Sequence, residues 1–463
     1  MGCAGDPVVA TPNLDSLAAD GILATEVYCP SPLCVPSRMS MLSGRYPHEI
    51  DTWTNSHALD SSIPTMAHSM GAAGYSPVLA GRMHFLGTDQ LHGYTERLIG
   101  DHSSAVPGHG NATFDFLEDI QNSGPGGSSY QVIDEDTTAV AVEWLNRFGI
   151  RRRASEDKEP FNLTVGYLLP HSPYIARRED FDRYADRVTA PRLRIPFSDV
   201  KHPFDRWWRK HVNLVDPPED SVMRARAAYW ALVERLDTNI GLILEALRRN
   251  GLDENTIIVY STDHGDMVGE RELWMKRCFY EPSVKVPAII SWPGVLPEGE
   301  RCDRVLNVVD LNATILSALG ASPLPGSRGR DALPMLRGEE VEWEDVTLSE
   351  YAMQEGPIQR MVRKDNWKLI YHHGQPSQLF DLSNDPDELE DRSQDPVCGE
   401  IKSELTALIF SDGWDPDHVV RRLKEKKRDT DLIRDWAENC PPADPYRWHT
   451  DPAWTHSDFS ELL

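Results

Sequence analysis

Cys34-Val35-Pro36-Ser37-Arg38-Met39-Ser40-Met41-Leu42-Ser43-Gly44-Arg45 joins a lone cysteine to a proline two residues on and an arginine four residues on. Pro36 suits the first turn of a helix, where its missing N–H is no loss. Gly44 suits the end of that helix. Cys34 then sits at a helix N-terminus, where free N–H groups and the macrodipole favour negative charge. Arg38 lies one turn along the same face. The position suits a nucleophile that acts on an anion. It equally suits a buried cysteine ahead of an ordinary capped helix, because free cysteine is among the most buried residue types.

The surrounding chain alternates helix and strand signals. Thr11 and Pro12 open a helix that Gly21 ends. Residues 22–28 have strand composition and lead into the cysteine stretch. Residues 63–73 suggest a short helix. Residues 75–80 are apolar, but Pro77 argues against a central strand there. Residues 100–130, rich in Gly, Ser and His, suggest a surface loop, and residues 134–148 have helical spacing. Arg151, Arg152 and Arg153 suggest a solvated loop run. Residues 161–169 form an apolar run closed by Pro170, which predicts a buried strand. A long helix is predicted over 221–249, stopped by Asn250-Gly251, and a β-branched strand over 256–260. Residues 286–290 form another apolar run, and 310–319 a helix.

This alternation to about residue 335 predicts an α/β domain with a largely parallel sheet. Beyond it, strand-like runs at 346–349, 361–363, 367–371 and 378–382 predict a small antiparallel sheet, followed by a helix near 400–410. The last fifty residues show no clear period and suggest a wrapping or partly disordered tail. The expected division is therefore 1–335 and 336–463.

The chain of 463 residues carries a net charge of −26, which argues against nucleic acid as a partner. An anionic substrate would be repelled at long range, so an anion site must be made by local cations. The seven cysteines (Cys3, Cys29, Cys34, Cys278, Cys302, Cys398 and Cys440) are scattered and odd in number, unlike a disulfide framework. A reducing, cytoplasmic setting is the expectation. No run is long enough for a membrane span, and no signal peptide is visible.

Four polar clusters follow apparent strands: Cys34, Arg82-Met83-His84, His171, and Asp263-His264. Open α/β sheets bind ligands at the carboxyl ends of their strands, so these clusters belong in one crevice. Taken singly, each has a plain structural explanation: a core histidine, a turn at Asp263-His264-Gly265, or a solvated lysine at Lys276.

The cysteine stretch, C-x-P-S-R followed by L-S-G-R, resembles the sulfatase signature over twelve residues. The resemblance runs over roughly residues 5–395 and implies an alkaline-phosphatase-like α/β fold. It implies hydrolysis of small-molecule sulfate esters, with Cys34 converted by a maturing enzyme to formylglycine, the nucleophile and a metal ligand. A divalent metal, Ca²⁺ foremost with Mg²⁺ or Mn²⁺ as alternatives, is implied with Asp263 and His264 as ligands. Arg38 would steady the formylglycine. Lys276 would bind sulfate, His171 would bind substrate and donate to the leaving oxygen, and Asn55 would contact the sulfate. His84 would serve as base. Arg82 stands where the family carries lysine, a change from a point charge to a rigid fork.

Residues 81–94 and 263–271 look most like the choline-sulfatase relatives within the family. Related enzymes hydrolyse phosphonate monoesters or phosphate diesters at the same type of site, which is the alternative expectation. The family also places a buried strand ending in two metal-binding aspartates ahead of the first helix. None is present here, which leads to the expectation of an N-terminally truncated member, inactive in the third alternative. A homo-oligomer is compatible with the tail, and no membrane partner is expected.

Overall fold

The computed structural model describes residues 1–101, 106–108, 115–155 and 159–440, and the backbone of 456–457. The centre of the molecule is two half-sheets. One runs in the order Leu306–Asn307, Ile22–Tyr28, Lys285–Ser291, Ile258–Ser261, with Glu300–Cys302 also beside Ile22–Tyr28. The pairs involving Lys285–Ser291 are antiparallel, and the other pairs are parallel. The second half-sheet is wholly parallel, in the order Glu96–Ile99, Ser76–Gly81, Phe161–Gly166.

Among the described residues, Phe161–Gly166 pairs only with Ser76–Gly81, and Ile258–Ser261 only with Lys285–Ser291. Both strands are half-buried along nearly their whole length, whereas Ser76–Gly81 and Lys285–Ser291 are mostly buried. Between them lies a cavity of about 1540 Å³ lined by every residue of the two open strands.

Helices cover both faces. Ser129–Ala154 packs against the long helix Glu219–Arg249, whose apolar side includes Ala228, Leu232 and Leu236. Cys34–Ser43, Met66–Ala72 and Val308–Ala318 pack together elsewhere on the sheets. Cys34–Ser43 is buried on nearly every side, with only Arg38 and Met41 half-buried.

Residues Val346–Ala352, Ile358–Lys364, Trp367–His372 and Gln378–Asp381 form a four-stranded antiparallel sheet, as expected. Gly399–Ile409 packs on it, with Leu405 and Ile409 buried. Buried charges tie it to the preceding part of the chain: Lys368 donates to Glu281 at 2.8 Å, and Arg360 lies between Asp412 and the His48–Glu350 pair.

Four local expectations are corrected. Ser76–Gly81 is the middle strand of its sheet despite Pro77. Pro77 is its second residue and the ladder to Glu96–Ile99 starts only at Val78, so the missing N–H falls at the strand's start. Residues 100–130 are not all surface loop: Asp101 is buried, Phe116–Gln121 is a helix, and Gly124–Gly127 is a strand beside Ile175–Ala176. Pro416–Asn439 is a 24-residue helix. It buries only Val419, Leu423, Thr430 and Ala437 beyond its first residue, so its apolar stripe is too thin to show as a period, although Asp415 and Pro416 mark its start. The arginine run at 151–153 closes the helix Ser129–Ala154, where cations complement the exposed carbonyls. The rest of the tail expectation, residues 441–455 and 458–463, lies outside the described residues. All seven cysteines are free. No helix among the described residues is long and apolar enough to cross a membrane.

Candidate active site

The helix Cys34–Ser43 starts at the cysteine and ends at Gly44, whose φ of 70° is left-handed. Leu33, at its N-cap, offers no capping side chain. Asn55 supplies the acceptor from another segment: Val35 N–H donates to its Oδ1 at 3.0 Å. Asn55 is thereby fixed beside Cys34, and one orphan donor of the helix start is satisfied.

The strand ends deliver the remaining groups. His264 follows Ile258–Ser261, and its Nε2 is 3.2 Å from Cys34 Sγ. Its Nδ1–H donates to the Gly265 carbonyl at 2.9 Å, which can only accept, and Nε2 faces the site. Gly265 is required here because a Cβ would sit 2.0 Å from the Pro282 carbonyl oxygen. Asp263 accepts from Arg38 Nε at 2.8 Å, while its own backbone carbonyl accepts from Ser37 Oγ at 2.5 Å. Burial would raise the Asp263 carboxyl, but Arg38 and His264 bring it down to about 2.

His171 follows Phe161–Gly166. Its Nδ1–H donates to the Ser172 carbonyl at 2.6 Å, and its Nε2 accepts from Lys276 Nζ at 2.6 Å while lying 3.9 Å from Cys34 Sγ. Burial and the Lys276 charge push His171 down to about 3, so it stays neutral. Burial also lowers Lys276, against the opposing pull of Cys34 and Asp266. Burial alone would raise the Cys34 thiol. Lys276, His264 and hydrogen bonding with both histidines outweigh it and hold the thiol well below its usual range. The field at position 34 therefore favours a negatively charged oxygen or sulfur.

Arg82 and His84 follow Ser76–Gly81. The Arg82 carbonyl accepts from Arg38 at 3.3 Å, and Arg82 Nη2 donates to His84 Nδ1 at 3.0 Å. His84 has a φ of 64°, and its backbone N–H donates to Asp101 at 2.6 Å. Burial and Arg82 hold its imidazole below the usual range. All nine expected residues thus meet in one place: Cys34, Arg38, Asn55, Arg82, His84, His171, Asp263, His264 and Lys276.

Three carboxylates beside them were not anticipated, the buried Asp101 and Asp134 and the half-buried Asp266. Asp101 holds the backbone of His84. Asp134 accepts from Leu168 and Leu169 N–H at 2.8–3.1 Å and so secures the turn before His171. Asp266 accepts from Tyr174 Oη at 2.7 Å and from Met275 N–H at 2.9 Å, linking the His171 turn to the Lys276 loop. Asp101 follows the strand Glu96–Ile99, which the sequence did not reveal. Recognising that strand would have marked it by the same strand-end rule. Asp266 lies one residue beyond the Asp263-His264-Gly265 turn.

Donor atoms of Cys34, Asp263 and His264 lie within 4.8 Å of one another, the arrangement a metal ion needs. They fit one side of a divalent ion. Calcium takes six to eight oxygen ligands, so these three donors fall short of a full shell.

The sulfatase family profile matches residues 1–321, and the profile "N-sulphoglucosamine sulphohydrolase, C-terminal" matches residues 269–411. The choline-sulfatase of Rhizobium meliloti (strain 1021) is 34% identical over 439 residues, covering 90% of this chain and 84% of that protein. Arylsulfatase K of Canis lupus familiaris is 28% identical over 416 residues, covering 83% and 75%. The crystal structure of the phosphonate monoester hydrolase of Agrobacterium radiobacter superposes with a TM-score of 0.73 at 22% identity, covering 89% of this chain and 92% of that one, a likeness of fold. With its cysteine signature at a helix start and its strand-end residues gathered around it, the chain belongs to the sulfatase family, alkaline-phosphatase-like sulfuric ester hydrolases.

Proposed function

We propose that the chain cleaves the sulfate ester of a small molecule with the residue at position 34, matured from cysteine to formylglycine, as its nucleophile. The observation that carries this reading is the placement of Cys34 at a helix start within 3.9 Å of two imidazoles, one backed by a buried lysine. When bound, a divalent ion held by position 34, Asp263 and His264 would supply positive charge to the attacking oxygen and to the sulfate.

The chain's own groups do the rest. Arg38 steadies the nucleophile at position 34, Arg82 brings guanidinium charge where the family carries lysine, and Asn55 orients the sulfate. The charge matters because a sulfate ester and an oxyanionic nucleophile repel each other until fixed cations offset both. Lys276 carries the proton nearest the leaving-group side and passes it through, or alongside, His171 to the departing alcohol oxygen. His84 receives the proton whose removal releases sulfate. These roles rest on the family resemblance at each position together with the contacts described above.

The test joins mass spectrometry and turnover. The tryptic peptide ending at Arg38, from a host that carries the maturing enzyme, is expected to hold the aldehyde or its hydrate. Aryl sulfate turnover is expected to exceed aryl phosphodiester turnover, and Lys276→Met is expected to lower it by about 10²-fold or more. An unmodified thiol together with no sulfate release overturns the reading. Faster phosphodiester turnover replaces the sulfate assignment.

A further inference from the structure

We infer that Asp266 and Tyr174 are positioning residues: their hydrogen bond latches the His171 segment to the Lys276 loop and so sets how well the site expels a poor leaving group. The inference rests on the reading of Lys276 and His171 as the source of the leaving-group proton, and it adds two residues that act only through that pair. Lys276 and His171 come from stretches of chain 105 residues apart, yet their nitrogens lie 2.6 Å from each other. Misplacement by about 1 Å is enough to lose such an arrangement.

The loop around Lys276 needs support from outside itself. Met275 has a φ of 59° and Arg277 a φ of 81°, so the lysine lies between two non-glycine residues in the left-handed region. Such residues persist where their surroundings hold them. Asp266 is one of the holders: its Oδ1 accepts from Met275 N–H at 2.9 Å and from Val268 N–H at 3.0 Å. On the far side of the lysine, Arg277 N–H donates to the Pro32 carbonyl at 3.2 Å. The backbone is therefore fixed directly before and directly after Lys276.

The other oxygen of the same carboxylate reaches the His171 segment. Tyr174, three residues after His171, donates from Oη to Asp266 Oδ2 at 2.7 Å, and its buried ring packs on Trp274 with centroids 5.5 Å apart. The two segments also meet where Ser172 Oγ donates to Met275 Sδ at 3.8 Å, but a thioether is a weak acceptor. A hydrogen bond to a carboxylate is roughly twice as strong as one between neutral groups. Asp266 thus aligns the two halves of the acid pair through its two oxygens. When the ester S–O bond breaks, its electron pair goes to the alcohol oxygen. A stable phenolate leaves with that pair as it is, whereas a more basic oxygen must take a proton as it leaves. A loosened latch therefore penalises poor leaving groups first.

The full chain, matured, is compared with Tyr174→Phe and Asp266→Ala. Tyr174→Phe keeps the ring and the carboxylate charge and removes the one bond. Lysines are labelled with acetic anhydride and read by peptide mass spectrometry, with Lys368, fully buried in the C-terminal sheet, as the internal control. Lys276 is expected to label at least threefold faster in Tyr174→Phe and at least tenfold faster in Asp266→Ala, with Lys368 unchanged. In Asp266→Ala, kcat/KM is expected to fall at least tenfold further on phenyl sulfate than on para-nitrophenyl sulfate. Unchanged labelling of Lys276 in Tyr174→Phe, or equal acceleration of Lys276 and Lys368, overturns the latch, and labelling reads this even in a chain that releases no sulfate. Faster labelling of Lys276 alone, with equal losses on the two esters, overturns the proton-source reading instead, so the two failures are told apart.

Discussion

The pair Arg38–Asp263 joins the cysteine helix to the Asp263-His264 turn, and removing one member should cost far more than removing both. The Arg38 side chain is 12% exposed and that of Asp263 8%, with Nε and Oδ2 2.8 Å apart. Arg38→Met leaves the Asp263 carboxylate buried without its chief counter-charge. Breaking a buried pair in this way costs about 3–5 kcal/mol. In urea, with a slope of at least about 3 kcal/mol/M for a chain of this size, the midpoint should fall by roughly 1 M. Asp263→Leu strands the guanidinium instead and should cost a similar amount.

The double variant Arg38→Met/Asp263→Leu leaves neither charge unpaired. Replacement of a buried pair by apolar groups is often neutral or stabilising, so the double variant should lie within about 1–2 kcal/mol of the parent. The coupling energy expected from the cycle is then at least about 3 kcal/mol. Urea unfolding in EDTA, followed by tryptophan fluorescence, measures all four proteins without any bound ion. A double variant that loses the sum of the two single losses would refute the reasoning.

Three further outcomes follow from the same contacts. Burial pushes Asp134 up to about 7, although Leu168 and Leu169 N–H groups oppose the shift. An unfolded chain ionises this carboxyl near 4, so between about pH 4 and 7 the folded chain holds a proton the unfolded chain has lost, and stability falls as pH rises. The loss is complete above pH 7, at about 4 kcal/mol, and Asp134→Asn should flatten it in thermal melts from pH 4.5 to 8. Burial lowers His48, but the Glu350 carboxylate at 2.8 Å outweighs it and raises the imidazole above its ordinary value. The stability from that pair is full below about pH 6.5 and is lost as pH rises through the higher folded value, so His48→Gln should remove a decline that the parent shows on the alkaline side. Calcium should bind this chain with Kd weaker than about 10⁻⁴ M, since one carboxylate, one imidazole and position 34 make a thin shell. Isothermal titration showing tighter binding would contradict that account.

Much of the site was legible because its residues lie in short contiguous motifs at strand ends. Cys34 to Arg45, Arg82 to His84, and Asp263 to Gly265 carry their own turn and cap signals, and the strand-end rule puts them in one crevice. Asp101 and Asp134 were not legible: each acts on a backbone N–H far off in sequence, 17 and 34 or 35 residues away, and nothing local marks such a partner. The helix Pro416–Asn439 escaped for the opposite reason, since its contact with the body of the protein is too slight to impose an apolar period.

By itself the sequence determined the α/β alternation, the C-terminal antiparallel sheet and the helix start at Cys34, and the family resemblance of its motifs pointed to the eight residues gathered around that cysteine. These depend on periodicity, capping and motif, which are written in neighbouring residues. Only the tertiary structure decided which strands lie beside one another and in which direction. Strand pairing joins segments 85 residues apart in one case and 27 to 33 in the other through backbone groups common to every residue, so no side-chain pattern in Phe161–Gly166 or Ile258–Ser261 shows which strand is its neighbour.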